Sequence, residues 1–255
     1  MIRELAENPN VYMPLSPGRE LFFDPDDRFV IFFSTGIDPH SATIQRVRMQ
    51  EDEVEDAVGE IRSLLKDKGR AGSEWELGES CTPINLVQRL AELGILPDED
   101  EPLATGMVLR DSKLVAPPPG VVARKVLTVD ELILARCIQN KAFGQQEPTD
   151  EIQAQTDFRH EGVIGSTFIS FVDGEPAAAA YASYTPHGLL LFGGATAPEF
   201  RRRGAYRALV AARSREAVER GTPVLVTHAG KMSRPILERV GFEVVARIDR
   251  LLDVF

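Results

Sequence analysis

The residues best suited to chemistry lie in one short run, 193–206, whose sequence is GGATAPEFRRRGAY. The run follows an apolar, strand-like stretch at 188–192 and leads into a helix-like stretch at 206–220. Backbone N–H groups in the first turn of a helix lack partners and the helix dipole favours negative charge there, so this order of elements suits a phosphate group. Gly204 would let the backbone approach a pyrophosphate without a side chain in between. The run therefore predicts a phosphate-binding loop, although three adjacent arginines are also typical of a solvated basic patch.

This loop resembles the acetyl-CoA-binding motif of the GNAT N-acetyltransferase superfamily, R/Q-x-x-G-x-G/A, at Arg201, Gly204 and Tyr206. Pro198 precedes Arg201 by three residues, as in the family's V-x-P-x-x-R pattern, and Thr196 occupies the valine position. Tyr206 departs from the motif, because glycine or alanine is usual there. The resemblance implies an acetyl-CoA-dependent N-acetyltransferase that acts on a small amine or an amino-terminal substrate.

The surrounding elements also follow the order of that family. A strand at 223–228, a helix at 233–240, the pair Gly241-Phe242 and a last strand come after the loop. The resemblance implies an α/β (α+β) fold with a mixed, mostly antiparallel sheet flanked by helices. Before the loop, the patterns predict a strand at 121–128, a helix at 129–143 and strands at 167–172 and 176–184.

The resemblance also implies which residues hold acetyl-CoA as cosubstrate. In the family, backbone amides of the strand before the loop hold the pantetheine arm and polarise the thioester carbonyl. Small side chains at the end of this strand would admit such an arm, although they also suit packing at a β-bulge. The predicted cofactor-binding residues are Ala195, Thr196, Ala197, Arg201, Arg202, Arg203, Gly204, Ala205 and Tyr206.

Catalytic residues do not follow from the family motif. The family's usual proton donor, a tyrosine four residues before the glycine of the G-F pair, is replaced by Leu237, and Gly230 replaces a common asparagine. Placement alone therefore nominates His228 as a base, Ser233 as a group near the sulfur, and Tyr184, with Tyr181, as lining of an amine pocket. Each also has a structural alternative, such as a carbonyl partner for His228 or an N-cap for Ser233.

The loss of the tyrosine leaves a second function open. A protein that kept the loop and lost the acid would be a non-catalytic acyl-CoA-binding or regulatory protein. The enzyme is favoured, because positioning the amine with water as proton carrier can replace a dedicated acid.

The proline-rich stretch 116–120 predicts a boundary between two parts of the chain. We expect a partial, degenerate copy of the fold at 1–116, a linker at 117–123 and a complete acetyltransferase domain at 124–255. The helix endings LAELGI at 90–95 and LERVGF at 237–242 are the closest local match between the halves. A short similarity of this kind between two helix ends can also arise by chance in any α/β protein.

The first half differs from the second where a cofactor would bind. Gln50-Glu51-Asp52-Glu53 replaces the arginine loop, and carboxylates at a helix N-terminus would repel a pyrophosphate. We therefore expect the first half not to bind CoA. Its predicted role is to cover apolar surface of the second half and to wall one side of the substrate cleft, with Leu86, Leu90 and Leu93 forming an apolar stripe.

Composition and charge limit the classes of molecule that the protein is expected to bind and the compartment in which it is expected to lie. The net charge is −10, and residues 1–123 hold 23 acidic against 12 basic side chains, which disfavours nucleic-acid binding. No apolar run approaches a membrane span, and no secretory signal is visible at the N-terminus. The 2 cysteines, Cys81 and Cys137, suggest buried cytosolic thiols, and the 4 histidines show no metal-ligand spacing. We expect a cytoplasmic monomer or homodimer that binds no metal, nucleic acid or membrane.

Overall fold

A computed structural model describes residues 1–111, 115–116, 118–144 and 150–255, so Pro117 of the predicted linker lies outside the described residues. Contacts divide the chain into two units. The first unit comprises Met1–Met107, His228–Arg234 and Val244–Phe255, and the second comprises Val108–Thr227 and Pro235–Glu243.

The first unit is built on strands in the order β1-β2-β3-β4-β12-β6, with β5 beside β12. The pair β3–β4 is parallel, whereas β1–β2, β2–β3 and β4–β12 are antiparallel. The strands are β1 (Glu20–Phe23), β2 (Val30–Phe33), β3 (Ala42–Gln45), β4 (Gly72–Gly78), β5 (Leu96–Pro97), β6 (Leu103–Leu109) and β12 (Glu243–Val254), and the helices are α1 (Ile2–Glu7), α2 (Pro9–Tyr12), α3 (Val54–Asp67) and α4 (Leu86–Glu92).

Alternation along β4 separates a core face from a polar face. Trp75 and Leu77 lie in the apolar core with Ile61 of α3 and Leu90 of α4. Glu74 falls on the opposite face of the strand, because successive side chains alternate. The stripe that was expected to be buried lies in the core of the first unit, where Leu86 and Leu90 are buried and Leu93 packs against them.

The second unit has strands in the order β11-β10-β9-β8-β7. All described pairs are antiparallel except β10–β11, which is parallel. The strands are β7 (Val121–Lys125), β8 (Gly165–Val172), β9 (Glu175–Thr185), β10 (Gly188–Thr196) and β11 (Leu225–Ala229), and the helices are α5 (Val129–Phe143), α6 (Glu151–Phe158), α7 (Ala205–Glu219) and α8 (Arg234–Val240).

Two helices of the second unit cover opposite faces of its strands. Ala135 and Ile138 of α5 pack with Ile169 and Ala179 on one face. The neighbouring β9 residue on the other face, Ala180, is also fully buried, and α7 contacts β9 from that side. Alanines at these positions let both helices approach the strand closely.

The predicted fold class, a mixed and mostly antiparallel sheet flanked by helices, is confirmed. The units differ from the expected segments, because Ile248–Val254 of β12 pairs antiparallel with Gly72–Gly78 of β4. The last strand of the chain thus belongs to the first unit. The pairing of a C-terminal strand with an N-terminal one leaves no local sequence signal, since it joins segments that are far apart in the chain.

Candidate functional site

The loop predicted to bind phosphate ends at a helix whose N-terminus has no side-chain cap. A short 3-10 turn, Pro198–Phe200, follows β10, and α7 begins after Gly204 as N-cap. Among the residues that the structure describes, no side-chain cap accepts a hydrogen bond from the first turn of α7. Because these N–H groups also lack partners within the helix, they can bind an anion.

Gly204 is required by the backbone and by a neighbouring proline. Its φ is +87°, a conformation that L side chains rarely adopt. A Cβ on Gly204 would lie 2.8 Å from Cγ of Pro118. Contact with Pro118 and the left-handed turn are structural reasons for glycine here, and the predicted approach of a pyrophosphate stays a prediction.

The three arginines of the loop are exposed but not equivalent. Arg203 forms an ion pair with Asp173 and lies over the ring of Phe200, 5.6 Å from its centroid. Within the described part of the chain, Arg201 and Arg202 have no ion-pair partner. These two guanidinium groups therefore remain available to a phosphate.

A bulge interrupts β10 just before the loop. The β9–β10 register shifts between Phe192 and Ala195, and Gly193 has a φ of +57°. Nε2 of Gln139 on α5 donates to the carbonyl oxygen of Gly193 at 2.7 Å. The bulge is thus held from the α5 side by a side-chain hydrogen bond.

The small residues after the bulge differ in what their backbones can offer. The N–H of Ala197 donates to the carbonyl of Ala177 at 2.9 Å, and the carbonyl of Ala197 accepts from Phe200 at 2.9 Å. The expected backbone contact from Ala197 to a ligand is therefore not supported, because its N–H is already paired. Ala195 is buried and faces Ala179 in the register.

The parallel pairing of β10 with β11 is short. The register joins Leu189 to Leu225 and Leu190 to Val226, and the hydroxyl of Thr227 donates to the carbonyl of Leu191 at 2.9 Å. The bulge in β10 follows immediately after Phe192. The sequence analysis did not identify Thr227 as a residue of the site. Its side-chain hydroxyl links β11 to β10 just beyond the last backbone pair of the two strands.

His228, near the end of β11, is where the chain passes into the first unit, and both of its ring nitrogens face acceptors. Nε2 is 2.9 Å from the carbonyl oxygen of Ala6, and Nδ1 is 3.6 Å from Oε1 of Glu76. Burial lowers the pKa of His228, but the charge and hydrogen bond of Glu76 and the Ala6 carbonyl outweigh it, so the pKa is raised. This arrangement favours the imidazolium, and the structural alternative named for His228, a carbonyl partner, is the one that the geometry supports.

The other two nominated catalytic side chains also have partners. The hydroxyl of Ser233 donates to the carbonyl of Gly230 at 3.4 Å. The hydroxyl of Tyr184 donates to Oε1 of Glu216 at 2.9 Å and lies 2.6 Å from Oγ of Ser166.

Tyr184 is also separated from the loop along the strand. It is paired with Leu189, three positions before Phe192, and a strand rises about 3.3 Å per residue, so its backbone lies about 10 Å from the start of the bulge. Burial, followed by the neighbouring Glu216, raises the pKa of Tyr184 to about 12. Its catalytic role stays a prediction that the geometry does not favour, whereas Tyr181 pairs with Phe192 beside the bulge.

Comparison with solved structures identifies the architecture. A GCN5-related N-acetyltransferase from Kribbella flavida superposes with a TM-score of 0.71 at 20% identity, over 99% of this chain and 95% of that one. The chain has the GNAT fold. A tandem GNAT protein from the clavulanic acid biosynthesis pathway matches with a TM-score of 0.61 at 14% identity, over 99% and 93% of the two chains. A GCN5-related N-acetyltransferase from Sphaerobacter thermophilus gives 0.62 at 14% identity, over 95% and 82%. No protein-family model and no curated protein matches the chain.

Two positions that depart from the GNAT pattern have structural reasons here. Leu237 on α8 is 1% exposed, and its carbonyl accepts from the N–H groups that close the helix at Gly241 and Phe242. A Cβ on Gly230 would overlap the carboxylate of Glu101. Neither position can therefore supply the polar group usual in the family.

A buried polar network in the first unit was not foreseen from the sequence. Arg250 of β12 bonds to Glu74 and, at 2.9 Å, to Oε2 of Glu101. Ligand-type atoms of His40, Glu74 and Asp98 lie within 4.8 Å of one another. Histidine spacing in the sequence gave no sign of this group, because its members come from three distant segments. Within this group of three side chains, the negative charge of Glu74 is already compensated by Arg250.

Two further expectations concerned the burial of the cysteines and the absence of a membrane-spanning segment. Cys81 and Cys137 are not joined in a disulfide. Cys137 is exposed, contrary to the expectation that it is buried, and burial raises the pKa of Cys81 to about 11. Among the described residues, no helix combines the length and the apolar character needed to cross a membrane.

Proposed function

We propose that the chain is an acetyl-CoA-dependent N-acetyltransferase that acts on a small amine or an amino-terminal substrate. The observation that carries this proposal is the uncapped N-terminus of α7, preceded by Arg201 and Arg202 and by a bulged strand, in a GNAT fold. Helix amides without partners and exposed guanidinium groups are both suited to bind a pyrophosphate there.

The residues present fit the cosubstrate. In this proposal the amides of Arg202, Arg203, Gly204, Ala205 and Tyr206, at the start of α7, hold the pyrophosphate, and the edge of β10 at Ala195 and Thr196 holds the pantetheine arm. Acetyl-CoA supplies an electrophilic thioester carbonyl. The chain's own part is to orient that carbonyl, to donate hydrogen bonds to its oxygen from the backbone, and to move the proton of the amine.

The first half carries features that oppose a second cosubstrate site. The 3-10 turn Glu51–Glu53 before α3 closes with a capping box, in which the N–H of Gln50 donates to Oε2 of Glu53 at 2.6 Å. The carboxylate of Glu53 thus caps this helix start, with two further acidic residues beside it, whereas the start of α7 has no side-chain cap. This contrast supports binding in the second unit only.

The N-terminal helices fill the space beside β3, the strand that precedes α3. Oδ1 of Asn8 accepts from the N–H of Arg46 at 2.8 Å, and the N–H of Asn10 donates to Oε1 of Gln45 at 3.1 Å. The carboxylate of Glu7 lies 2.8 Å from the position that a Cβ on Gly78 would take. We propose that the first unit is a degenerate copy of the fold. In it, α1 and α2 occupy the groove that corresponds to the pantetheine groove beside β10 in the second unit.

A non-catalytic acyl-CoA-binding protein is the second candidate. The buried Leu237, at the position of the family's usual tyrosine, favours it. The two candidates share the cosubstrate site and differ only in turnover.

A thiol-release assay with acetyl-CoA and a broad set of amines separates the candidates. We expect release of free CoA that depends on at least one amine and is lost in the double variant R201E/R202E. Arg239→Glu, an exposed charge reversal on α8, is the matched control and should keep activity. Binding of acetyl-CoA without release for any amine would favour the non-catalytic protein, and absence of both would contradict both candidates.

A further inference from the structure

Arg213 is a buried cation without a carboxylate partner. It is 1% exposed on α7, its Nε donates to the carbonyl of Leu209 at 3.2 Å, and its Nη1 lies 3.4 Å from the carbonyl of Tyr181. Nη2 is buried with no hydrogen-bond partner. Among the described residues, no ion pair includes Arg213. Since burying an uncompensated charge is costly, this position calls for a compensating negative charge.

Tyr206 is an ionisable residue whose charge and hydrogen bond act on the guanidinium of Arg213. The two residues are seven apart, which places them on the same face of α7. Burial raises the pKa of the Tyr206 hydroxyl, while the charge of Arg213 acts in the opposite direction. Loss of the phenolic proton would therefore convert an uncompensated cation into an ion pair.

Both side chains lie beneath the bulge of β10. A Cβ on Gly194 would be 2.7 Å from Cε2 of Tyr206, so the tyrosine ring covers the backbone of the bulge. Arg213 reaches the carbonyl of Tyr181, which is paired with Phe192, the last register pair before the bulge. An α-helix rises about 1.5 Å per residue, so the Cα of Arg213 lies about 12 Å along α7 from its first turn, while its Nε bonds back to the carbonyl of Leu209, four residues nearer that turn.

We propose that Tyr206 donates the proton to the departing CoA thiolate and that Arg213 stabilises the tyrosinate left behind. The proposal rests on the proposed function, since it needs the thioester at the β10 bulge. It assigns a role to the tyrosine that departs from the family motif, in a chain where Leu237 cannot act.

The proposed step conserves atoms and charge. The amine nitrogen attacks the thioester carbon, the C–S bond breaks, and its electron pair goes to sulfur. The phenol of Tyr206 transfers its proton to that sulfur, which gives the thiol of CoA and a tyrosinate beside Arg213. The proton released by the amine returns to the tyrosinate through water, which restores the starting state.

The test compares Tyr206→Phe with wild type at saturating acetyl-CoA and an amine found active in the thiol-release assay. We expect kcat to fall by ~10²–10⁴-fold, the usual contribution of a positioned acid, while the Kd of acetyl-CoA stays within twofold because the backbone amide is retained. The alkaline limb of the kcat profile should disappear. Tyr12→Phe, which removes a tyrosine from α2, is the matched control and should keep the wild-type profile.

Arg213 is tested by the same profile. Arg213→Met should shift the alkaline limb to higher pH and lower kcat, whereas Arg213→Lys, which keeps the charge, should restore much of both. Arg215→Met is the control, because Arg215 lies on the same helix and bonds to the carbonyl of Ala123. A merely structural role of Arg213 would lower stability without moving the alkaline limb.

The outcomes separate this inference from the proposed function. If wild type turns over and Tyr206→Phe remains within twofold of its kcat with an unchanged pH profile, the inference is wrong and the proposed function stands. If wild type releases no CoA with any amine, both fall. Loss of acetyl-CoA binding in Tyr206→Phe would also overturn the inference, because it would show a binding role for the side chain.

Discussion

The pair formed by His228 and Glu76 shows how a single residue's surroundings change its chemical role. The charge and hydrogen bonds of His228, together with those of Arg250 and Gln45, outweigh burial and lower the pKa of Glu76. The pKa of His228 is raised by the same contact, in spite of burial and of the nearby Arg250. The position of His228 at a strand end was visible in the sequence, but Glu76 and the Ala6 carbonyl come from distant segments.

This pair predicts a pH-dependent contribution to stability. The raised pKa of His228 adds stability below its ordinary value of 6.5 and loses it as the pH rises through the folded-state value. The lowered pKa of Glu76 adds stability above its ordinary value of 4.5 and loses it as the pH falls through the folded-state value. We therefore expect the difference in Tm between wild type and His228→Gln to be largest between about pH 5 and 6.5 and to shrink as the pH rises.

A double-mutant cycle with Glu76→Gln checks that the effect belongs to the pair. Thermal unfolding should show a coupling that is largest in the same pH window. A Tm difference that is independent of pH from 5 to 9 would contradict the account. The same His228 variant also tests catalysis, and turnover within twofold of wild type would leave His228 with its structural role only.

At the scale of elements, the sequence predicted most of the strands and helices that build the fold. Helix α5, for example, matches the predicted range 129–143, because Thr128 caps its start and Gly144 ends it in a left-handed turn. Helices α1 and α2 and strand β1 were missed. Helices α1 and α2 have only 6 and 4 residues, too few to show a helical period, and most of Leu5–Pro9 is buried through tertiary contacts.

The N-terminus of α7 offers a matched pair of glycine variants. Gly204 and Gly221 flank this helix with φ of +87° and +74°, so an alanine at either site is strained by about 1–2 kcal/mol. A Cβ on Gly204 also meets Pro118 at 2.8 Å, whereas nothing lies within 4 Å of a Cβ on Gly221. We expect Gly204→Ala to lower the Tm more than Gly221→Ala and to weaken acetyl-CoA binding, which the control should leave unchanged. Equal losses of Tm and unchanged binding in both variants would contradict the assigned role of the loop.

At the scale of the whole molecule, the last strand decides whether the halves can be separated. Ile248 and Leu251 of β12 are at most 1% exposed, and β12 pairs with β4 along seven residues of the first unit. The expected boundary near residue 120 therefore leaves β12 on the wrong fragment. The sequence could not reveal this, because the apolar pattern of β12 is the same whichever strand it pairs with.

This pairing predicts that residues 120–255 do not fold normally when expressed alone. Without β4, the apolar side chains of β12 and an unpaired strand edge would be exposed, which favours aggregation. We expect the fragment to be insoluble or to melt well below the full chain in a thermal scan. Coexpression with residues 1–116 should restore solubility. A soluble fragment with the Tm and acetyl-CoA affinity of the full chain would show that the halves are independent.

Calorimetric titration with acetyl-CoA tests directly whether the cosubstrate binds at the start of α7. The full chain should bind one equivalent, and the double variant R201E/R202E should bind at least about tenfold more weakly, a loss of about 1.4 kcal/mol, because two available cations become carboxylates beside the pyrophosphate. Arg239→Glu should bind as wild type does. Wild-type affinity in R201E/R202E, or two equivalents bound per chain, would contradict a single site at this helix.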